Sequence, residues 1–363
     1  MTHSSRRLRL SAALGAAGLD AMLVTDLVNV RYLSGFTGSA GALLIYADER
    51  TPLLATDGRY RTQVAQQAPD LQAVIERAGP SHLVAHAAAA GARRVGFEGH
   101  VVTVDGFDAL SKAADGTELV RASGMVEALR EVKDAGEVAL LRLACEAADA
   151  ALRDLVDRGG LRPGRTEREV GRELEALMLD HGADAASFET IVATGANSAV
   201  PHHRPTDAVL AAGDFVKIDF GALVAGYHSD MTRTFVLGPA ADWQAEIYQV
   251  VAAAQRAGRE ALHPGARLRD VDAAARAVIA DAGYAETFSH GLGHGVGLRI
   301  HEAPGINAAA DGTLLAGAVV TVEPGVYLAD RGGVRIEDTL VVADTAGQAP
   351  ELLTRFPKEL TIL

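Results

Sequence analysis

Acidic side chains interrupt two neighbouring apolar segments of this 363-residue chain. Asp219 lies in FVKIDFG and Asp230 in YHSDMTRTF, and a hairpin that turns around Val224–Ala225 would place the two carboxylates directly opposite each other. The Cβ atoms of directly opposed residues lie about 4.5–5.5 Å apart, so two like charges there destabilise a sheet. The sequence therefore predicts an acidic pair that needs a neutralising partner.

The same arrangement occurs again further along the chain. Glu323 in TVEPG and Glu337 in RIED flank the turn-forming segment ADRGG, and a hairpin centred on Asp330 would place them opposite each other. Charges in strands usually face solvent, but two such pairs among Val, Ile, Phe and Thr favour a buried cluster, where unpaired carboxylates are destabilising. A shared proton would relieve only one pair, whereas divalent cations relieve both because they supply the missing positive charge.

Histidines that could complete such a site lie in HGLGHGVGLRIHE, residues 290–302. An HExxH zinc motif is excluded, because no second histidine follows His301 and Glu302 at the required spacing. A dinucleotide-binding fingerprint is excluded as well, since Val296 occupies a position that needs glycine. The glycines instead suit close approach of the backbone to a ligand or a neighbouring strand.

Four carboxylates and one imidazole suit a site for two divalent metal ions. Such hard ligands favour manganese, with cobalt or zinc as alternatives, and two ions about 3.5–4 Å apart can activate water for hydrolysis. Two further histidines, His202 and His203, lie in PHHRP, where the prolines predict a loop. Loop histidines are usually solvated, so the residues alone leave both a structural and a functional interpretation of this pair open.

The elements that must position these residues fall into two predicted domains, 1–125 and 126–363. In the first, short apolar strands alternate with helices, which is typical of an α/β layer structure. The second shows the order helix, helix, strands twice, which predicts an α+β domain with a weak pseudo-two-fold helix-helix-strand repeat. The strands of the first domain are expected at 21–26, 41–47, 51–56, 71–76 and 94–99, and the helices of the second at 134–158, 166–182, 242–261 and 268–282.

Composition excludes several classes of partner. A content of 48% apolar and 22% charged residues is typical of a globular protein, and a net charge of −13 without a basic cluster predicts no nucleic-acid partner. No stretch approaches the ~18 apolar residues of a membrane span, so no membrane partner is expected. The single cysteine, Cys145, allows no intrachain disulfide and fits a reducing compartment. The arginines near the N-terminus fit an amphipathic helix better than a leader peptide, so a cytoplasmic protein is predicted.

Several separate motifs together resemble one known family. IDFGALVAGYHSDMTRTF, HGLGHGVGLRIHEAP, TVEPGVYL and GVRIEDT resemble the dinuclear metallopeptidases of the pita-bread fold, in particular their Xaa-Pro branch of aminopeptidase P and prolidase. RYLSGFTGSAGALLI and LATDGRYRTQ resemble the creatinase-type N-terminal domain of that branch. The resemblance implies an α/β creatinase-type domain over 1–125 and an α+β pita-bread catalytic domain over 126–363.

The resemblance also implies a metal-binding role for five residues that match the motifs. Asp230 and Glu337 would bridge two divalent metal ions, Asp219 would complete one site, and His294 and Glu323 would complete the other. Glu323 would also accept a proton from the attacking water.

Other matching residues would contact or support the substrate site. His202 and His301 would steady the carbonyl oxyanion or pass a proton to the departing proline nitrogen. Arg335 and Tyr327 match positions that support the site by hydrogen bonding, and the roles of His203 and His290 stay open.

His294 and His301 then impose a geometric demand on the glycine-rich segment. A regular strand points residues at odd spacing to opposite faces. Both rings can reach one site only if the backbone bends or bulges between them, and this is expected at Gly295 and Gly297.

The implied reaction is hydrolysis of the bond between an N-terminal residue and a following proline, in a peptide or a dipeptide. The predicted function is that of an Xaa-Pro aminopeptidase of the aminopeptidase P type, with Xaa-Pro dipeptidase (prolidase) as the alternative, and a homodimer is expected. Methionine aminopeptidase is less favoured because its catalytic domain normally lacks this N-terminal domain. A non-enzymatic binding protein on the same fold would be expected to have lost metal ligands.

Overall fold

The structure, a computed structural model, describes residues 1–363 and contains two compact units, 1–130 and 131–363. No helix in it is both long enough and apolar enough to cross a membrane. Each unit has its own buried apolar core.

The first unit is built on one mixed six-stranded sheet, ordered β4-β3-β2-β1-β5-β6. Its strands are β1 (Ala21–Val24), β2 (Ala42–Tyr46), β3 (Leu53–Thr56), β4 (Gln72–Ile75), β5 (Arg94–Phe97) and β6 (Glu118–Arg121). Its helices are α1 (His3–Ala16), α2 (Leu27–Ser34), α3 (Arg61–Gln67), α4 (Gly79–Ala89) and α5 (Val104–Ala113), and α6 (Met125–Glu131) follows. The five predicted strands are confirmed, as is the α/β class.

Three elements of the first unit escaped prediction, namely the strand β6 and the helices α2 and α6. The strand β6 is short and only half-buried at the sheet edge, so it lacks an apolar run. The helix α2 is only eight residues long. Its boundaries come from local capping, because the Asp26 side chain accepts a hydrogen bond from the Val28 N–H and Gly35 ends the helix at a φ of 78°.

The second unit repeats a pair of helices followed by strands. The helices are α7 (Ala135–Asp157), α8 (Glu167–Asp180), α9 (Asp242–Glu260) and α10 (Leu268–Asp281). The strands are β7 (Ala185–Ala186), β8 (Ile191–Thr194), β9 (Phe215–Phe220), β10 (Ala222–Val224), β11 (Tyr227–His228), β12 (Met231–Val236), β13 (Gly293–Gly295), β14 (Glu302–Ile306), β15 (Val319–Val322), β16 (Gly325–Leu328), β17 (Gly332–Arg335), β18 (Asp338–Val341), β19 (Glu351–Leu352) and β20 (Thr361–Ile362).

The predicted repeat is confirmed in the sheets of this unit. The first half contributes the order β12-β9-β8, to which the C-terminal strand β20 adds at the β12 edge, and the second half contributes β14-β13-β15-β18-β19. Helices α7 and α8 pack together, as do α9 and α10. The predicted capping pair also forms, because Thr166 accepts from the Glu169 N–H and Glu169 accepts from the Thr166 N–H at the start of α8.

Candidate metal centre

The hairpin that carries Asp219 and Asp230 has a different register from the one predicted. Asp219 on β9 lies opposite Thr232 on β12, so the prediction that it directly faces Asp230 is wrong. The reason is the turn, which is formed by Ala225 and Gly226 with φ values of 48° and 80° and is therefore one residue later than expected. The residue opposite Asp219 is therefore Thr232, two positions after the predicted Asp230. Side chains alternate between the two faces of a strand with a period of two, so a shift of two positions does not change the face. Asp219 and Asp230 consequently remain on the same face.

The second hairpin has the predicted register. Val322 pairs with Asp338 on one side of the acidic residues, and Gly325 pairs with Arg335 on the other. Glu323 therefore lies opposite Glu337, as predicted from a turn centred on Asp330, whose φ is 59°.

The backbone between His294 and His301 bends as the sequence predicts. The pairing of β13 with β14 shifts register between His294 and Gly295. The rings of His294 and His301 come within 4.4 Å of each other, centroid to centroid, in an edge-on arrangement. Glycine is required here because a Cβ at Gly293 or Gly295 would lie 2.0 or 2.1 Å from a carbonyl oxygen of an adjacent strand. The glycines thus allow close strand packing, and the irregular pairing brings the two rings together.

A cavity of about 290 Å³ collects most of the predicted site residues. Asp219, Asp230, Glu337 and Glu323 all line it, although they come from both hairpins. The full lining consists of Phe188, Glu189, Ile191, His202, His203, Arg204, Asp219, Asp230, His294, Ile300, His301, Glu323 and Glu337. Of the other predicted site residues, Arg335 and Tyr327 lie behind this lining and are buried.

Two of the carboxylates each have one oxygen that no hydrogen-bond donor satisfies. Asp219 accepts a hydrogen bond from Arg335 on Oδ2, but its buried Oδ1 has no partner. Glu337 accepts from Thr232 on Oε2 at 2.6 Å, and its buried Oε1 likewise has no partner. Buried polar oxygens are normally satisfied, so these two fit ligands for a cation.

The electrostatics of the cluster also indicate missing positive charge. Burial, with the neighbouring carboxylates, raises the pKa of Asp230 and of Glu337 well above the usual range. Burial also raises the pKa of Glu323 to about 8. Without a cation Glu323 therefore holds a proton at neutral pH, whereas divalent ions would stabilise all three groups as carboxylates.

His294 can offer a ring-nitrogen lone pair to a metal ion held by the same cluster. Burial lowers its pKa to about 4, so the ring is neutral at pH 7. Its Nδ1 lies 3.1 Å from the Gly295 carbonyl oxygen and must donate to it. The Nε2 atom is therefore an acceptor, yet it faces carboxylate oxygens of Asp230 at 3.5 Å and of Glu323 at 3.4 Å. A ring nitrogen lone pair and carboxyl oxygens that converge at these distances fit a metal ion between them, and ligand atoms of Asp230, His294 and Glu337 all lie within 4.8 Å of one another.

A buried hydrogen-bond chain behind the cluster accounts for Arg335, Tyr327 and His290. Arg335 donates to Asp219, to the Thr232 hydroxyl at 3.0 Å and to the Tyr327 hydroxyl at 2.9 Å. Burial lowers the pKa of His290 to about 4, and its Nδ1 donates to the Gly291 carbonyl at 2.8 Å. Its Nε2 therefore accepts from the Tyr327 hydroxyl at 2.8 Å. This chain orients the guanidinium that holds Asp219.

The PHHRP loop separates its two histidines. His202 lines the cavity, and burial together with the nearby Arg335 lowers its pKa. His203 also reaches the lining, but its Nε2 donates to Glu167 at 2.8 Å. Burial and Arg335 likewise lower the pKa of Lys217 far below its usual range, and its Nζ donates to the Val200 carbonyl at 2.6 Å.

Sequence reasoning missed Lys217 and Glu167. A lysine inside FVKIDFG carries the same signal as the aspartate two positions later, which is a charge in a fully buried strand. Glu167 carries no such signal, because an acidic residue in the first turn of a helix is usual.

Comparison with known proteins gives consistent matches over nearly the whole chain. Residues 139–344 match Metallopeptidase family M24, and residues 6–132 match the Creatinase/Prolidase N-terminal domain. The chain is 40% identical to the solved Xaa-Pro dipeptidase from Bacillus anthracis, with a TM-score of 0.93 and coverage of 100% of both chains. It is 35% identical to the Xaa-Pro dipeptidase of Pyrococcus horikoshii over 94% of each chain.

A relative with a different named activity is also similar. The chain is 34% identical to the X-Pro aminopeptidase from Thermotoga maritima, with a TM-score of 0.87 and coverage of 95% of this chain and 98% of that one. The predicted fold class, a creatinase-type domain followed by a pita-bread catalytic domain, is confirmed. This protein belongs to metallopeptidase family M24 and is a metallo-exopeptidase.

Proposed function

We propose that the chain is a dinuclear-metal-dependent Xaa-Pro dipeptidase. The observation that carries the proposal is the convergence of four carboxylates and a neutral imidazole on one cavity, with a buried, unsatisfied oxygen on both Asp219 and Glu337. In the proposed assignment Asp219, Asp230, His294, Glu323 and Glu337 would hold the two ions. When bound, the ions supply the Lewis acidity that activates water and polarises the scissile carbonyl. Manganese is the proposed metal, because hard oxygen ligands dominate the set.

The side chains around the metal cluster supply the rest of the chemistry. Glu323 is the proposed general base that takes a proton from the attacking water. His202 and His301 lie on the same cavity and are the proposed contacts to the carbonyl oxygen and the departing proline nitrogen. Because the pKa of His202 is lowered, its ring is neutral at pH 7 and can donate a hydrogen bond to the developing oxyanion without carrying a permanent charge.

Three observations support a dipeptide substrate over a longer peptide, which was the aminopeptidase P prediction. Two similar proteins are named Xaa-Pro dipeptidases. The cavity of about 290 Å³ lies at the small end of ligand pockets. Arg204 is the only arginine or lysine in its lining, and a guanidinium suits the carboxylate that directly follows proline only in a dipeptide. The alternative keeps support from the similarity to the X-Pro aminopeptidase of Thermotoga maritima.

The decisive experiment compares manganese-loaded protein on Ala-Pro, Ala-Pro amide and Ala-Pro-Ala-Ala, with liberated alanine measured by chromatography. We expect Ala-Pro to be cleaved with the highest kcat/KM. Faster cleavage of the tetrapeptide would favour the aminopeptidase alternative. Absence of cleavage of all three, with metal shown to be bound, would refute both peptidase assignments.

A further inference from the structure

The loop that carries His202 has little regular structure of its own. After β8 ends at Thr194, one short 3-10 turn covers Gly195–Ala199, and no strand or helix follows until β9 begins at Phe215. Backbone hydrogen bonds join residues 206–210 to residues 164–168, but none joins the stretch 201–205 to another element, so this stretch needs other contacts to hold one conformation. His202 nevertheless lines the cavity, so side chains from elsewhere must fix this part of the chain.

Glu167, the first residue of α8, supplies the largest group of such contacts. Its Oε1 accepts hydrogen bonds from the Thr194 N–H and the Asn197 side-chain amide, both at 2.9 Å. Its Oε2 accepts from His203 at 2.8 Å and from the N–H and hydroxyl of Thr206 at 2.8 and 2.7 Å. The Glu167 side chain is fully buried, and these donors lower its pKa although burial alone would raise it. One carboxylate thus connects both ends of the segment 194–206.

None of these five contacts serves the helix that Glu167 begins. The N-cap of α8 is Thr166, and the reciprocal partner in the capping box is Glu169. Both Glu167 oxygens are fully used by donors from the loop. A purely helix-stabilising role therefore does not account for the side chain.

The opposite side of the loop is held by two buried basic side chains. Lys217 donates to the carbonyl oxygens of Val200 and Pro201 at 2.6 and 3.3 Å, and Arg335 donates to Pro201 at 3.1 Å. The peptide that immediately precedes His202 is therefore fixed on one side by these two donors. Glu167 fixes the residue that immediately follows it.

We propose that Glu167 is a positioning residue for His202, acting through His203 and Thr206 to keep the His202 ring directed at the substrate. The inference rests on the proposed function, in which His202 contacts the reacting amide. It also assigns a role to His203, which is to tie the loop to the buried carboxylate.

The replacement Glu167→Gln is a sharp test because the amide cannot satisfy both ends of the loop. Each carboxylate oxygen accepts from one backbone N–H, that of Thr194 on Oε1 and that of Thr206 on Oε2. Either orientation of a glutamine amide places its NH₂ group against one of these donors. The volume of the side chain hardly changes, so the effect reports the lost acceptor.

Asp149→Asn provides a matched control. Asp149 is also buried, and it accepts hydrogen bonds from the backbone N–H groups of Arg355 and Phe356 at 2.7 and 2.9 Å. It lies in the same unit but does not line the cavity. A general penalty for disturbing a buried carboxylate would appear in both variants.

With manganese-loaded protein and Ala-Pro, we expect Glu167→Gln to lower kcat by about 10- to 100-fold, the range in which misplacement of a reacting group acts. Metal content measured by mass spectrometry should stay unchanged, and Asp149→Asn should retain the wild-type kcat. In a His202→Ala background, Glu167→Gln should change kcat by no more than about twofold, because the residue through which it acts is gone. An equal loss of kcat in that background would overturn the proposal.

Hydrogen exchange gives a readout that does not depend on hydrolysis. In metal-free protein, Glu167→Gln should speed amide exchange across residues 194–206, whereas Asp149→Asn should speed it near residues 355–356 only. Unchanged protection of the segment 194–206 would overturn the proposal even if activity falls. If wild-type protein cleaves no peptide, the proposed function fails, while exchange still decides whether Glu167 holds the loop.

Discussion

The two sides of the cavity are fixed by different kinds of interaction. On the metal side, the candidate ligands lie on or beside paired strands, and glycines such as Gly293 allow the neighbouring backbones to approach closely. On the side of the His202 loop, buried polar side chains such as Glu167 and Lys217 hold an irregular segment. Backbone hydrogen bonds between paired strands hold the ligand side chains in a rigid geometry. A single buried side chain that holds a loop can instead be removed by one substitution without unfolding a sheet.

The largest expected effect separates the roles of His294 and His301, whose rings are in contact. His294→Ala should abolish both metal binding and hydrolysis, because it removes the only nitrogen of the proposed ligand set. His301→Ala should retain both ions and lower kcat by about 10²- to 10⁴-fold, the usual contribution of a general acid or base. Metal content after dialysis and kcat on Ala-Pro would be measured for each variant. If His301→Ala released metal as completely as His294→Ala, the division between ligand and substrate contact would be wrong.

The metal side was largely predictable from sequence, because its signals are local. Charges in apolar strands identified Asp219, Asp230, Glu323 and Glu337, and glycine spacing predicted the bend next to His294. The register of the first hairpin was missed since the position of a two-residue turn depends on which residues adopt positive φ. Because the register differs from the predicted one by two residues, the side chains stay on the predicted face and the predicted cluster still forms.

The other side of the cavity was only partly predictable. His202 was recognised through a family motif, but the contacts that hold its loop join residues distant in sequence, such as Glu167 with Thr206 and Lys217 with Val200. Such contacts leave no pattern of hydrophobic periodicity or residue spacing in the sequence. An acidic residue in a first helical turn looks ordinary until the fold shows that its oxygens face a loop.

The pH dependence of metal binding is a second test of the metal side. In metal-free protein burial raises the pKa of Glu323 to about 8, whereas the pKa of a glutamate in the unfolded chain is about 4.3. Between these values the folded state holds a proton that the unfolded state has lost, so this group lowers the free energy of unfolding as pH rises. Metal binding must displace that proton, and the affinity for manganese should therefore increase about tenfold per pH unit for each proton released.

Thermal unfolding with and without manganese, from pH 5 to pH 7.5, measures this linkage. The rise in Tm caused by the metal should grow with pH, and Glu323→Gln should show a smaller slope. A metal-induced shift that is constant across this range would contradict the assignment of buried, protonated carboxylates as ligands.

The smallest effect is expected at the cavity mouth, where Arg204 is not fixed by burial. Its Nε lies 3.1 Å from Glu189, but the two side chains are 84% and 63% exposed, so this ion pair contributes little and leaves the guanidinium free to bind a substrate carboxylate. Arg204→Gln should raise KM for Ala-Pro by about tenfold, as expected for one charge-assisted contact near solvent. Cleavage of Ala-Pro amide should not change, because that substrate lacks the carboxylate.

Arg168→Gln is the matched control for this prediction, since Arg168 also forms an exposed ion pair, with Asp207, and lies outside the cavity lining. Initial rates for both substrates would be compared across wild type and the two variants. An equal rise in KM for Ala-Pro and its amide would show that Arg204 shapes the mouth of the cavity without recognising the carboxylate. In contrast to Glu167, whose effect should fall on kcat, Arg204 should act on KM, and this difference separates positioning of a reacting group from recognition of the substrate's end.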